Sequence, residues 1–159
     1  MKNLIVAGII CSFFLGLAGC SENETVLEEV FKSGGYDSEE AIKRGDVVFT
    51  ALGNHNVETF EQFLSNVSNK KEDTIRITHY THEGDPIFHD LEFDGEVFHY
   101  SYDNSYDKNG QPAKEEDVCK EIKTEDLDDK QRVAFLISNC SVIDDHYLIE
   151  IRKNQLTYE

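Results

Sequence analysis

The sequence predicts an α+β fold: one domain with a mainly antiparallel sheet of about five or six strands and two or three helices packed on one face. Three observations carry this expectation. Thr74 to Asp103 reads as three consecutive strands joined by tight turns, and Phe60, Phe63, Leu64 and Val67 recur at helical spacing. Two further strand patterns, VAFLI at 133–137 and the alternating run from Tyr147 to Arg152, follow near the C-terminus. No internal repeat or second domain is visible.

Asp37 with Glu40 forms a capping-box pattern, and Lys43, Arg44 and Gly45 suit a helix end, which predicts a short helix over 38–44. Val47 to Leu52 then reads as a buried strand ended by Gly53, and Asn56 as the cap of the main helix. Thr74 to Thr81 alternates as a half-buried strand. His82-Glu83-Gly84-Asp85 makes the next connection, with Gly84 taking the unusual backbone angle and Pro86 starting the following strand.

Asp94-Gly95 suits a two-residue type I′ turn. That turn would set Leu91 opposite Phe98 and His89 opposite Tyr100 on the core face, and Asp90 opposite His99 on the outer face. Val118 and Ile122, one helical turn apart amid glutamates, predict a surface helix over 113–123 carrying Cys119. Residues 124–130 read as an acidic connection. Residues 133–137 read as a strand buried on both faces, and Tyr147, Ile149 and Ile151 as the inward face of the last strand.

Lys2, an apolar run too short to span a bilayer and the small pair Ala18-Gly19 before Cys20 mark residues 1–19 as a targeting segment. Leu17-Ala18-Gly19-Cys20 resembles the lipobox of bacterial lipoproteins. The resemblance implies a signal peptide cleaved before Cys20, lipid attachment at Cys20 and a domain held at the extracytoplasmic face of the cell membrane. Residues 20–35 then read as a tether and 36–159 as the domain.

Fifteen basic residues face 32 acidic ones, a formal net charge of −17. Such a field excludes nucleic acid as a partner and favours cations or basic proteins. Cys11 leaves with the signal and Cys20 is the lipid site, so Cys119 and Cys140 remain. An isolated pair in an exported domain predicts a disulfide, which would stabilise by roughly 3 kcal/mol on the loop-entropy model.

His82, Glu83, Asp85, Asp90 and His99 form the most polar convergence, a candidate ligand surface of imidazole and carboxylate groups that suits a divalent metal. Asp90 with His99 is also a candidate acid/base or pH-sensing pair. Asp103, Ser105, Asp107 and Asn109 alternate like the start of a calcium loop, but Lys108 and Lys114 stand at its glycine and glutamate positions. No GxSxG, phosphate loop or CxxC pattern is present, so no catalytic residue, metal ligand or cofactor is assigned.

Residues 78–95, THYTHEGDPIFHDLEFDG, resemble a family of small lipoproteins of endospore-forming Gram-positive bacteria that carry a domain of unknown function. The related marks are Gly45-Asp46-Val47-Val48, Tyr80-Thr81, Glu83-Gly84-Asp85-Pro86-Ile87, Cys119 and Cys140; His82 departs from the family's aliphatic preference. The resemblance implies an exported lipoprotein and no catalytic residue. The expected function is a membrane-anchored binding or interaction domain of the cell envelope, with an envelope protein or a cation as partner. Divalent-cation binding at the His82 to His99 hairpin is the alternative, and a small envelope hydrolase follows it.

Overall fold

The computed structural model describes residues 36–127 and 130–157; the signal, Cys11, Cys20 and the tether to residue 35 lie outside them. Among the described residues, two sheets and two α-helices, with a short 3-10 turn at Lys153–Gln155, make up the mixed α+β domain. Helix α1 (Ser38–Arg44) leads into β1 (Val47–Thr50) and β2 (Gly53–His55), and α2 (Val57–Ser68) into β3 (Asp73–Tyr80). Strands β4 (Pro86–Phe93), β5 (Phe98–Asp103) and β6 (Lys114–Cys119) complete a six-stranded sheet in the order β2-β1-β3-β4-β5-β6. Strands β7 (Glu121–Leu127), β8 (Arg132–Ser138) and β9 (Asp145–Arg152) form a separate three-stranded antiparallel sheet. Among the described residues no helix is long and apolar enough to cross a membrane.

The N-terminal helix forms as its sequence dictates. Asp37 accepts the Glu40 backbone N–H at 2.9 Å, and Gly45, at φ 95°, closes the helix in the left-handed conformation that glycine adopts without strain. Asn56 departs from expectation. It precedes α2 but caps nothing; its Nδ2 donates to the carbonyls of Ile42 and Asp46, tying the end of α1 to the start of α2. Phe60 and Phe63 are buried in the core, Leu64 and Val67 pack on it, and Phe60 meets Phe135 of the second sheet edge-on at 4.9 Å.

The run at 47–52 is shorter than its apolar pattern suggests. Thr50 ends the strand because its hydroxyl accepts the Leu52 N–H and donates to the Gly53 carbonyl, folding the chain back into β2 and leaving Leu52 98% exposed. Strand β1 runs parallel to β3, with α2 as the crossover, while the other strand pairs are antiparallel.

The β4–β5 register also differs. Phe93 pairs with Phe98, Leu91 with Tyr100 and Glu92 with His99, so the connection is four residues long rather than two. The physical reason is Asp94. Its carboxylate accepts the N–H groups of Glu96 and Val97, an Asx turn that leaves only Gly95 at positive φ where type I′ needs two such residues. The two-residue shift preserves the faces, so Leu91, Phe93, Phe98 and Tyr100 still point inward.

The helix expected at 113–123 is instead two strands. From Glu116 on, β6 alternates with a period of two, exposing Glu116 and Val118 and burying Asp117 and Cys119. Lys120 breaks the run, and the acidic residues that look like a helix surface are charges on β6 and β7, each an outer strand of its sheet, where they oppose edge-to-edge pairing. β7 continues to Leu127 through much of the expected acidic loop.

In β9, Phe135 pairs with Ile149 and Leu136 with Tyr147, so Leu148 is an extra residue in a bulge. The alternation flips there. Leu148, Ile149 and Ile151 are buried, Tyr147 faces outward and His146 turns inward. Replacing Phe60 with alanine should cost about 3–5 kcal/mol, the range for truncating a buried phenylalanine. Urea unfolding checks this, with a lowered midpoint and an unchanged slope expected.

Candidate functional site

The five residues of the expected ligand surface do not form one site. Asp85 is buried and takes the Lys108 ammonium at 2.8 Å and the Lys108 N–H at 3.1 Å, which holds its carboxyl below the usual range. Asp90 receives a two-pronged contact from Arg76, at 2.6 and 2.8 Å. His99 faces Glu92 in register and contacts Asp94 at 3.3 Å, so the expected Asp90–His99 pair is absent; the longer turn has moved it apart. His82 and Glu83 lie exposed in the turn before β4, where Gly84 takes φ 87°. The calcium-like series is likewise committed elsewhere. Asp103 pairs with Lys114, and Asp107 closes its own turn by accepting from Asn109 and Gly110.

Several residues that mark the family resemblance act as internal ties. Asp46, at the start of β1, is buried; its Oδ2 accepts the hydroxyls of Tyr36 at 2.7 Å and Thr78 at 2.6 Å, while Tyr80 reaches the Tyr36 carbonyl. Burial raises the Asp46 carboxyl, against the opposing pull of those two hydroxyls.

The densest arrangement of chemical groups lies between the sheets. Asp117 on β6 is 6% exposed, and its Oδ1 accepts from Ser141 N, Ser141 Oγ, Val142 N and its neighbour Val118 N. Its Oδ2 accepts from Val142 N, Ile143 N and His146 Nε2, the last at 2.9 Å. Burial alone would push this carboxyl up; the bonds from His146, Ser141 and the backbone outweigh it and hold it well below the carboxylate range. Cys119 and Cys140 form the disulfide beside it. No motif pointed to Asp117 or His146, because their meeting depends on a strand mistaken for a helix and on the β9 bulge.

A row of rings continues from this knot. The Tyr100 ring packs tilted against His146 at 4.5 Å, its hydroxyl meets His89 Nδ1 at 2.9 Å, and His89 lies 4.9 Å from His79. His79 Nε2–H donates to the carbonyl of the bulge residue Leu148 at 2.6 Å. Burial, reinforced by the nearby His79 and His146, lowers the His89 imidazole to about 3, and burial lowers His79.

An open groove of about 1080 Å³ lies where the β1–β2 turn approaches the ends of β8 and β9. Leu52, Asn54, Arg132, Glu150, Arg152 and Lys153 are among its lining residues. Arg132 and Arg152 stand directly opposite each other in the ladder, where like charges destabilise. Arg132 is paired with Glu150 and Lys153 with Asp126, whereas Arg152 has no ion pair among the described residues.

Fold and disulfide together define a disulfide-bonded α+β domain with an open surface groove. Residues 44–133 match a family described as a domain of unknown function (DUF4362), and since that stretch is more than half of the chain, the protein belongs to this family. No curated protein and no solved structure matches it.

His89 is neutral in the fold down to about pH 3, whereas the unfolded chain takes up its proton below about 6.5. Its contribution to stability is therefore whole above pH 6.5 and falls toward pH 3, by about 1.4 kcal/mol per unit. His89→Gln should flatten the acid limb of stability by that slope, leaving the part due to His79; denaturant melts across pH 3.5–7 test it. Removing Asp117 as Asp117→Ala should cost about 3–5 kcal/mol, because it strands the buried His146 and the part-buried N–H groups of residues 141–143. A loss under 1 kcal/mol in the same melts would contradict that role.

Proposed function

We propose that this protein is a lipid-anchored extracytoplasmic binding domain whose groove takes a small anionic group, a phosphate or carboxylate. The facing pair Arg132 and Arg152 carries the reading. In a chain with 32 acidic and 15 basic residues, cations gathered on one ladder position run against the surrounding field. Arg132 already holds the Glu150 carboxylate, which leaves the guanidinium of Arg152, opposite it in the ladder, as the group open to an added anion, and its planar donor fork matches carboxylate and phosphate oxygens. Arg132 is positioned by Glu150, and Arg152 is exposed and available. The general acidity then acts as a filter. It disfavours long polyanions, which would meet repulsion along their length, and leaves a compact anionic group as the ligand that the groove accommodates.

The anchor rests on the lipobox-like Leu17-Ala18-Gly19-Cys20, and the Cys119–Cys140 disulfide supports an oxidising location. Thermal unfolding with inorganic phosphate, pyrophosphate and citrate tests the groove. A concentration-dependent rise in Tm that disappears in Arg152→Glu is expected; equal behaviour of the variant and the parent would remove the groove from the reading. Separately, Cys20→Ala should release the protein from the membrane fraction, and an unaltered distribution would sink the anchor.

A further inference from the structure

We propose that reduction of the Cys119–Cys140 disulfide turns the inter-sheet knot into a site for a zinc-class divalent metal, with Cys119, Cys140, His146 and Asp117 as ligands. This does not depend on the groove. One donor atom from each of the four residues already lies within 4.8 Å of the other three, and among the described residues no other group of three or more histidine, cysteine and acidic side chains is so gathered. Two thiolates, an imidazole and a carboxylate are the mixed sulfur, nitrogen and oxygen donors that tetrahedral zinc accepts. Bound zinc would place its ligand atoms about 3.3–3.8 Å apart, given bond lengths of about 2.0–2.3 Å. The fold thus needs only a small contraction, together with parting of the bonded sulfurs.

The surroundings are those of a metal site. Ser141, Val142 and Ile143 hold the Asp117 carboxylate in place through hydrogen bonds, the support that orients ligands in metal centres. Asp117 is ionised and accepts from His146, so Nε2 carries the proton between the two groups. The metal takes the place of that proton, and His146 shifts to its Nδ1–H form. Cys119 is fully buried, whereas Cys140 is half-buried beside the exposed 141–145 loop and is the half of the bond nearer solvent.

The chemistry balances with a dithiol as reductant. Its thiolate attacks Cys140 Sγ, the Cys119–Cys140 bond breaks, and its second thiol resolves the mixed disulfide. The dithiol is oxidised to a disulfide, two electrons and two protons pass to the protein, and both cysteines become thiols. Metal binding then releases these two thiol protons to solvent. A disulfide oxidant reverses the step: one cysteine thiolate attacks it, the other resolves the mixed disulfide, the oxidant leaves as a dithiol and the ion is expelled, so metal occupancy follows the redox state of the pair.

The test uses the full chain in mild detergent, with cobalt(II) as a spectroscopic stand-in for zinc and circular dichroism to follow the fold. The reduced, folded chain should show a thiolate-to-cobalt charge-transfer band at one equivalent, and the oxidised chain none. His146→Gln and Asp117→Asn should each weaken cobalt binding at least tenfold, and Cys140→Ser should abolish the two-thiolate band. Zinc should displace the cobalt. No band in the reduced chain, loss of the fold on reduction before metal is added, or undiminished affinity in both His146→Gln and Asp117→Asn would each overturn the proposal.

Discussion

The two sheets are built from separate hydrogen-bond ladders, and the groups that cross between them determine how the domain closes. Asp117 is the principal one: it leaves the six-stranded sheet and collects its donors from the loop between β8 and β9 and from His146 on β9. A buried carboxylate is costly unless every lone pair is met, and here most of the backbone donors come from residues 141–143, which lie outside both ladders. The cost of burying Asp117 is therefore offset only when the β8–β9 loop is in place. That makes the 141–143 conformation a condition of folding rather than a detail of the surface.

Two further bonds cross the same seam. His79 Nε2 reaches the Leu148 carbonyl, and Asn54 Nδ2 reaches the Glu150 carbonyl at 3.0 Å. Both acceptors lie on β9, one at its bulge and one beside the groove. The bulge thus has two effects. It turns His146 toward Asp117, and it frees the Leu148 carbonyl from regular pairing to accept from His79. Apolar packing of Phe60 against Phe135 supplies burial at this junction, while the polar ties fix its register.

Local chemistry was legible in the sequence. The α1 caps, the amphipathic α2, the three strands between Asp73 and Asp103 and the cysteine pair each depend on residues close in sequence or few in number, and each appears as read. Failures came where a side chain overrode the backbone pattern. Asp94 lengthened a turn that Asp-Gly alone would keep at two residues, and Thr50 ended a strand whose apolar run continued. Residues 113–123 misled because Val118 and Ile122 fit helical spacing, whereas their real constraint is the burial of Asp117 and Cys119 at alternate positions. The candidate surface of His82, Glu83, Asp85, Asp90 and His99 is divided for a related reason. Proximity in sequence cannot show that Arg76 and Lys108 already claim two of its carboxylates.

The limits of the family match bear on this architecture. Residues 44–133 take in Asp117, Cys119 and Arg132, but Cys140, His146 and Arg152 lie beyond them. Each of the two chemical features therefore pairs a residue inside the matched region with one outside it. Ile149 and Ile151 of β9 are fully buried in the same core as Phe60 and Phe63, so the matched region without β9 would expose a hydrophobic face and leave Asp117 without His146. The cooperative unit must then extend to at least Arg152. Within that unit, the disulfide joins the end of β6 to the loop after β8, and any change in its bonding acts directly on the segment that supplies Asp117 with its donors.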